Sequence, residues 1–411
     1  MKLRELAWIV AALALAGCGE GGTSSSQTGS SAQASQTSAA VVVASPSATA
    51  SPAAVLGDPL TGLSASDLAL FNEGKVNFTT NEQDEPGFGP TFNGKSCVEC
   101  HSGPTVGGGS PIVVTRFGQT INGVFDALSA KGGSLLQVFA INGTAVELVP
   151  PEANVVARRR TTPLFGAGLI EAIPDADITQ FAQQQAAQNP GQAGLIHMIT
   201  SPSDGAQHVG RFGWKSQQAL LLDFAADAYA NEMGISSNLF PIENQPNGPT
   251  LTVPANQVDD PADAQGVRDI DRLTNYMRLL APPPPPTVVA VQPGQNTFQG
   301  IGCAVCHHPS FTTVSSTPAL NNKTIAAYSD FLLHDVGTGD GIVQGQAPAN
   351  MLRTAPLLGV GSQARLLHNG SAPNVDAAIR AHAGQATASR DAYVQLSAQD
   401  RQNLLNFIQT L

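Results

Sequence analysis

The segments Cys97-Val98-Glu99-Cys100-His101 and Cys303-Ala304-Val305-Cys306-His307 hold the groups of this sequence best suited to chemistry. Each sets two thiols two residues apart with a histidine directly behind. That spacing is C-x-x-C-H, the attachment pattern of a c-type haem: the thiols add across the vinyl groups and the histidine ligates the iron. Two intervening residues put both sulfurs on one turn facing the porphyrin edge. The chain has five cysteines, and only Cys18 lies outside the two strings. A zinc site could use the thiolates but needs no histidine after both pairs. A thioredoxin-like dithiol would want a βαβ context, and neither flank offers one. The count therefore predicts two covalently bound haem c groups, attached at Cys97, Cys100, Cys303 and Cys306 and ligated by His101 and His307. Haem brings redox and O–O chemistry that no side chain provides.

The N-terminus predicts export. Lys2 and Arg4 precede an apolar run, Leu6 to Ala14, that is too short to span a bilayer and reads as a secretory h-region. Leu15-Ala16-Gly17-Cys18 resembles a bacterial lipobox, so residues 1–17 are expected to be a lipoprotein signal peptide and Cys18 the lipid anchor. Gly19 is not the aspartate associated with inner-membrane retention. The expected location is the periplasmic side of the envelope, at the outer membrane. Residues 18–56, rich in Ser, Ala and Pro, cannot bury enough surface to offset their ordering entropy and read as a flexible tether. A net charge of −11 argues against nucleic acid or anionic lipid as a partner and is compatible with a basic electron-transfer protein.

The remaining length suits two domains, and the chain repeats itself. Phe92-Asn93-Gly94-Lys95-Ser96 precedes Cys97, and Phe298-Gln299-Gly300-Ile301-Gly302 precedes Cys303. Both read F-x-G-x-x-C-x-x-C-H, one module used twice. Ser64 with Asp67 is placed to cap a helix through Leu68, Phe71 and Lys75. Ser397 with Asp400 caps a last helix carrying Leu404, Leu405, Ile408 and Leu411 on one face. Further helices are expected over Asp177–Gln188, Gln217–Met233 and Asp263–Leu280, and short strands in Pro111–Phe117 and Leu136–Leu148. Pro241–Val258 reads as irregular, and Pro282–Pro286 as a domain boundary. The expected architecture is mainly α. Two cytochrome c-like haem domains, 57–286 and 287–411, would carry irregular and short β insertions in the N-terminal half.

Four strings make the sequence recognisable: Asn93 to Cys97, Gly210-Arg211-Phe212-Gly213-Trp214-Lys215, Tyr328 to Asp335, and Leu367-His368-Asn369-Gly370. Together they resemble the bacterial di-haem oxidoreductases, often labelled peroxidases or thiol oxidoreductases. These are related to the di-haem cytochrome c peroxidases and the methylamine-utilisation di-haem enzyme. In the peroxidases the C-terminal haem takes a second ligand fourteen residues after the histidine of an H-D-G string. His368-Asn369-Gly370 stands for that string here, and the matching position is His382. The peroxidases have methionine there and the methylamine enzyme tyrosine. The resemblance thus implies a His307/His382 pair, which gives a lower potential than His/Met and a saturated relay iron. It also implies roles for Trp214 as an electron bridge and for Glu232, of the Glu232-Met233 pair, as the acid/base that moves a proton between peroxide oxygens. The Trp214–Glu232 spacing is about two residues off the peroxidase pattern.

No histidine lies between His101 and His197, which departs from peroxidases that carry a distal histidine there and implies an open sixth position on the N-terminal iron. Met233, His197 and His208 are the other candidate ligands. Glu171, a lone acid in an apolar run, is the alternative carboxylate. Arg158, Arg159 and Arg160 are expected to hold haem propionates or face solvent. The activity implied is reduction of hydrogen peroxide at the N-terminal haem, with electrons from a small periplasmic donor, a cytochrome c or cupredoxin, relayed through the C-terminal haem. A non-catalytic di-haem electron-transfer lipoprotein is the alternative. Thiol exchange is the weakest reading, because haem attachment consumes the cysteines.

Overall fold

A computed structural model describes residues 55–82, 89–141, 146–242, 244, 260–284 and 288–411, without the side chains of 288–290. The expected signal peptide, Cys18 and most of the tether lie outside the described residues, as does most of Pro241–Val258. Ten α-helices run in order: α1 Ala65–Thr79, α2 Cys97–Cys100, α3 Ala167–Glu171, α4 Asp175–Gln188, α5 Leu221–Glu232, α6 Asp269–Leu279, α7 Val288–Gly300, α8 Val375–Arg380, α9 Thr387–Gln395 and α10 Ala398–Gln409. Only 35% of the described residues are helical, so the structure does not bear out a mainly-α class.

The largest sheet has three antiparallel strands in the order β3-β2-β5, with β2 Val113–Ile121, β3 Val124–Asp126 and β5 Val155–Arg160. β1 (Thr91–Phe92) pairs with β4 (Phe139–Ala140), and β6 (Met198–Thr200) with β7 (Gln207–Val209). Short pairs also occur in the C-terminal half: β8 (Phe311–Thr312) with β9 (Thr324–Ile325), and β10 (Leu333–His334) with β11 (Leu352–Arg353). The β insertions are therefore not confined to the N-terminal half. The Thr313 hydroxyl donates to Leu320 O, and the Ser329 hydroxyl donates to Thr354 O and accepts from Phe331 N, so polar side chains take the place of helical hydrogen bonding in these turns.

The two caps form as expected. The Ser64 hydroxyl accepts from Asp67 N at 3.1 Å to open α1, and Ser397 accepts from Asp400 N at 3.1 Å to open α10. Each haem string is preceded by a helix that crosses a later one. α1 crosses α6, and α7 crosses α10. Both crossings are made at a glycine: a Cβ at Gly74 would run into the Arg272 carbonyl oxygen, and one at Gly294 into that of Asn403. Four residues on, Phe78 and Phe298 are both buried. Phe78 lies 6.0 Å from the His101 ring, and Phe298 lies 6.3 Å from the His307 ring. The structural counterpart of Phe298 is thus Phe78, not the sequence-aligned Phe92. Phe92 sits in β1 against Phe139 instead. One core gathers Leu60 through Ala281 together with Phe311, Ile325 and Phe331; a second gathers Val291, Phe298, Tyr393, Leu404 and Phe407.

Candidate functional site: two cavities sharing a tryptophan

Each C-x-x-C-H string opens into a cavity. The first, about 1270 Å³ and partly open to solvent, is lined by Cys97, Cys100 and His101. The second, about 1320 Å³, is lined by Cys303, Cys306 and His307. In both strings the histidine follows a single helical turn. Gly302, at φ +85°, lets the chain turn sharply into Cys303. The His101 Nδ1 donates to Gly108 O at 3.1 Å, and His307 Nδ1 donates to Tyr328 O at 2.9 Å. These bonds fix the tautomer and leave each Nε2 lone pair for a metal. Burial pushes both imidazoles down to about 4, so they are neutral and able to ligate.

His382 lines the second cavity, and its Nδ1 donates to Ala378 O at 2.7 Å. Burial lowers this imidazole too. It therefore has the same preparation as the two string histidines. The first cavity contains no histidine besides His101 among the described residues. His197 and His208 line neither cavity. The His197 ring bonds Lys215 O through Nδ1 and Gln346 N through Nε2, while His208 pairs with Asp175 and Asp204. Met233 is buried and lines the first cavity.

Glu232 ends α5 in that same cavity. Asn93 Nδ2 donates to its Oε2 at 2.8 Å, and the Asn93 and Gly94 amides donate to its carbonyl, tying the helix end to the haem string. Burial raises the Glu232 carboxyl, against the lowering pull of Asn93 and Arg116. Glu171 is placed elsewhere: it takes Arg278 Nε at 2.6 Å and the Leu221 amide at 2.7 Å and lines neither cavity. It is an anchor between α3, α5 and α6.

Trp214 lines both cavities. Its Nε1 donates to Arg160 O at 2.9 Å, the Arg160 guanidinium lies 5.6 Å from its ring, and His368 meets it edge-on at 6.2 Å. Lys215 behind it is fully buried. Its Nζ donates to Pro348 O (2.8 Å), Ala349 O (3.2 Å) and Met351 O (2.6 Å), with Asp340 Oδ1 at 3.3 Å. Burial lowers this ammonium to about 8. Asp340 also pairs with the buried Arg159 at 2.7 Å.

The sequence reading missed several cavity residues. Arg116 Nε, Arg159 Nη2 and His368 Nδ1 are buried without a hydrogen-bond partner. Arg353 lines the second cavity, fully enclosed, with Nε on Gly213 O; burial lowers it to about 10 with no carboxylate to oppose that. Arg160, which lines both cavities, is likewise lowered to about 10 by burial alone. Buried guanidinium groups without counter-anions are costly unless an anion meets them. Arg158 is exposed. His334 also lines the second cavity, with Nε2 on Asp330 Oδ2 at 2.9 Å and Nδ1 3.8 Å from Cys306 Sγ. Burial works against its charge, but Asp330 overrides this and lifts it to about 10.

Two thiols, a prepared imidazole, an apolar wall and orphaned cationic donors fit a porphyrin with two carboxylate arms in each cavity. Such a pair of cavities defines a protein built around two redox groups. The family described as "Di-haem oxidoreductase, putative peroxidase" matches residues 144–411, and the chain belongs to that family. It is accordingly an oxidoreductase-family protein with two haem groups. No curated protein matches the sequence. Among solved structures, the chain is similar to one from Kuenenia stuttgartiensis, of hydrazine synthase pressurised with xenon. The identity is 13% and the TM-score 0.40, covering 91% of this chain and 100% of that one.

Proposed function

We propose that the protein reduces hydrogen peroxide in its first cavity, using electrons passed through the second. One observation carries the reading: the second cavity offers two prepared imidazoles, His307 and His382, whereas the first offers His101 and, in place of another imidazole, the Glu232 carboxyl. Haem iron, when bound, supplies electron transfer and O–O bond chemistry. Cys97, Cys100 and His101 would hold one group through thioethers and an iron bond; Cys303, Cys306, His307 and His382 would hold the other. Arg116, Arg159, Arg160 and Arg353 are placed to meet the propionates. Glu232, whose carboxyl burial raises, is placed to take a proton from one peroxide oxygen and return it to the other. Trp214, lining both cavities, supplies an aromatic path between them.

The test is optical and low-temperature electron paramagnetic resonance spectroscopy of the holoprotein during peroxide titration. A high-spin ferric signal that shifts with peroxide or cyanide is expected. Two six-coordinate, inert haems would leave the electron-transfer alternative. Glu232→Gln should cut peroxide turnover about 10²-fold or more with haem content unchanged. The Leu15–Cys18 string supports export and lipidation at Cys18, and the haem modules 57–286 and 287–411 would then work on the periplasmic face, served by a soluble cytochrome c or cupredoxin. Cys18→Ala should release the holoprotein from the membrane fraction.

A further inference from the structure

We propose that Tyr229 is a redox-active residue of the first cavity, giving up an electron to the cavity and its phenolic proton to Glu82. The inference rests on the peroxide-reducing reading and deepens it. Tyr229 projects from α5, one turn before Glu232, and lines the cavity while being only 4% exposed. Its hydroxyl donates to Glu82 Oε1 at 3.1 Å. Glu82 is half-buried, and its amide donates to Lys95 O at 2.8 Å, two residues before Cys97, so the pair stands beside the cysteine end of the cavity.

The chemistry depends on that acceptor. Removing an electron from a buried phenol that keeps its proton leaves a cation in an apolar place, which is costly. A carboxylate already hydrogen-bonded to the hydroxyl takes the proton in the same event. A second buried tyrosine provides the contrast. Tyr276 is fully buried against Phe78, at 4.7 Å, in the ring cluster that reaches His101, but its hydroxyl has no partner. Tyr276 has the aromatic path and lacks the base; Tyr229 has both the cavity position and the base.

The step balances with hydrogen peroxide as the oxidant. Peroxide takes up two electrons, and two protons drawn from solvent, as its O–O bond breaks and two waters form. One electron comes from the donor side past Trp214, and the other from Tyr229. The phenol O–H bond breaks, its proton forms an O–H bond to Glu82, and a neutral tyrosyl radical remains. A second donor electron and the return of the Glu82 proton restore the phenol. This gives the first cavity a second reducing equivalent close at hand.

The experiment is rapid mixing of the holoprotein with hydrogen peroxide, freezing, and electron paramagnetic resonance, with ring-deuterated tyrosine to identify the signal. A tyrosyl signal is expected, lowered at least about 10-fold by Tyr229→Phe and retained in Tyr276→Phe. Glu82→Gln should slow its appearance about 10-fold or more, the scale of a lost base. Should Tyr229→Phe fail to fold, Glu82→Gln decides. Peroxide consumption with no tyrosyl signal, or a signal unaltered by Tyr229→Phe or by Glu82→Gln, overturns this inference and leaves the peroxidase reading standing. Absence of peroxide consumption overturns both.

Discussion

The two cavities share an entry wall and differ in what faces it. In each, a helix crosses another at a glycine, a phenylalanine four residues on backs the string histidine, and a backbone carbonyl holds the imidazole Nδ1. Beyond that shared framework the second cavity is lined by His382, and the first by Glu232 and Tyr229. On the proposed reading, a repeated binding module has been given two chemistries by changing the rest of its lining. On that same reading, an imidazole closes the metal of one cavity, and a carboxyl leaves room in the other for a small oxidant with which it can exchange a proton.

The comparison breaks most directly at His382. His382→Ala should convert one low-spin ferric haem to high spin and open it to cyanide, making the second cavity resemble the first; an unchanged spectrum removes His382 as a ligand. Next comes the shared support. Lys215→Met removes the ammonium from three carbonyls and leaves the Arg159–Asp340 pair short of a cation. A loss of about 3–5 kcal/mol is expected in denaturant unfolding of the holoprotein. Both haem spectra should move together, because Trp214 adjoins both cavities. The matched glycines sharpen the likeness: Gly74→Ala and Gly294→Ala should each cost about 1–3 kcal/mol by overpacking, the first disturbing the haem at His101 and the second that at His307.

The smallest effect lies outside both cavities. Unlike the string histidines, His208 is raised: slight burial lowers it, but bonds to Asp204 and Asp175 outweigh that. Its contribution is fully present below the unfolded value of about 6.5 and is lost as pH rises through the folded value. His208→Gln should therefore lower the urea midpoint at acidic pH, by less than about 1 kcal/mol, and have no effect on the alkaline side.

What could be read in the sequence was local. The thiol–imidazole strings and the Ser64 and Ser397 caps depend on neighbours within a few residues; the caps stand as expected, and each string lines a cavity. Trp214 and Glu232 were visible only through the family resemblance, with a spacing about two residues off the peroxidase pattern. Phe78 was hidden because the segment from Thr79 to Cys97 is much longer than that from Gly300 to Cys303, so alignment on the cysteines put Phe92 in its place. Arg116, Arg353 and His334 come from separate strands and reach their cavities, the first for Arg116 and the second for the other two, only in the folded chain, which no local spacing announces. One signal was available in retrospect. Ser216, Tyr328, Phe331 and Leu367 adopt positive φ without being glycine, and all four lie in or beside the recognisable strings. Side chains held in that region mark backbone constrained by its surroundings. Those strings therefore record shape as much as chemistry.

The buried Lys215 ammonium has a consequence for handling the protein. Three carbonyls and a carboxylate converge there as they would on a dissolved ion, but the charge is part of the polypeptide. The loop it gathers cannot be loosened by chelators or by desalting, and its assembly waits on no salt from the medium.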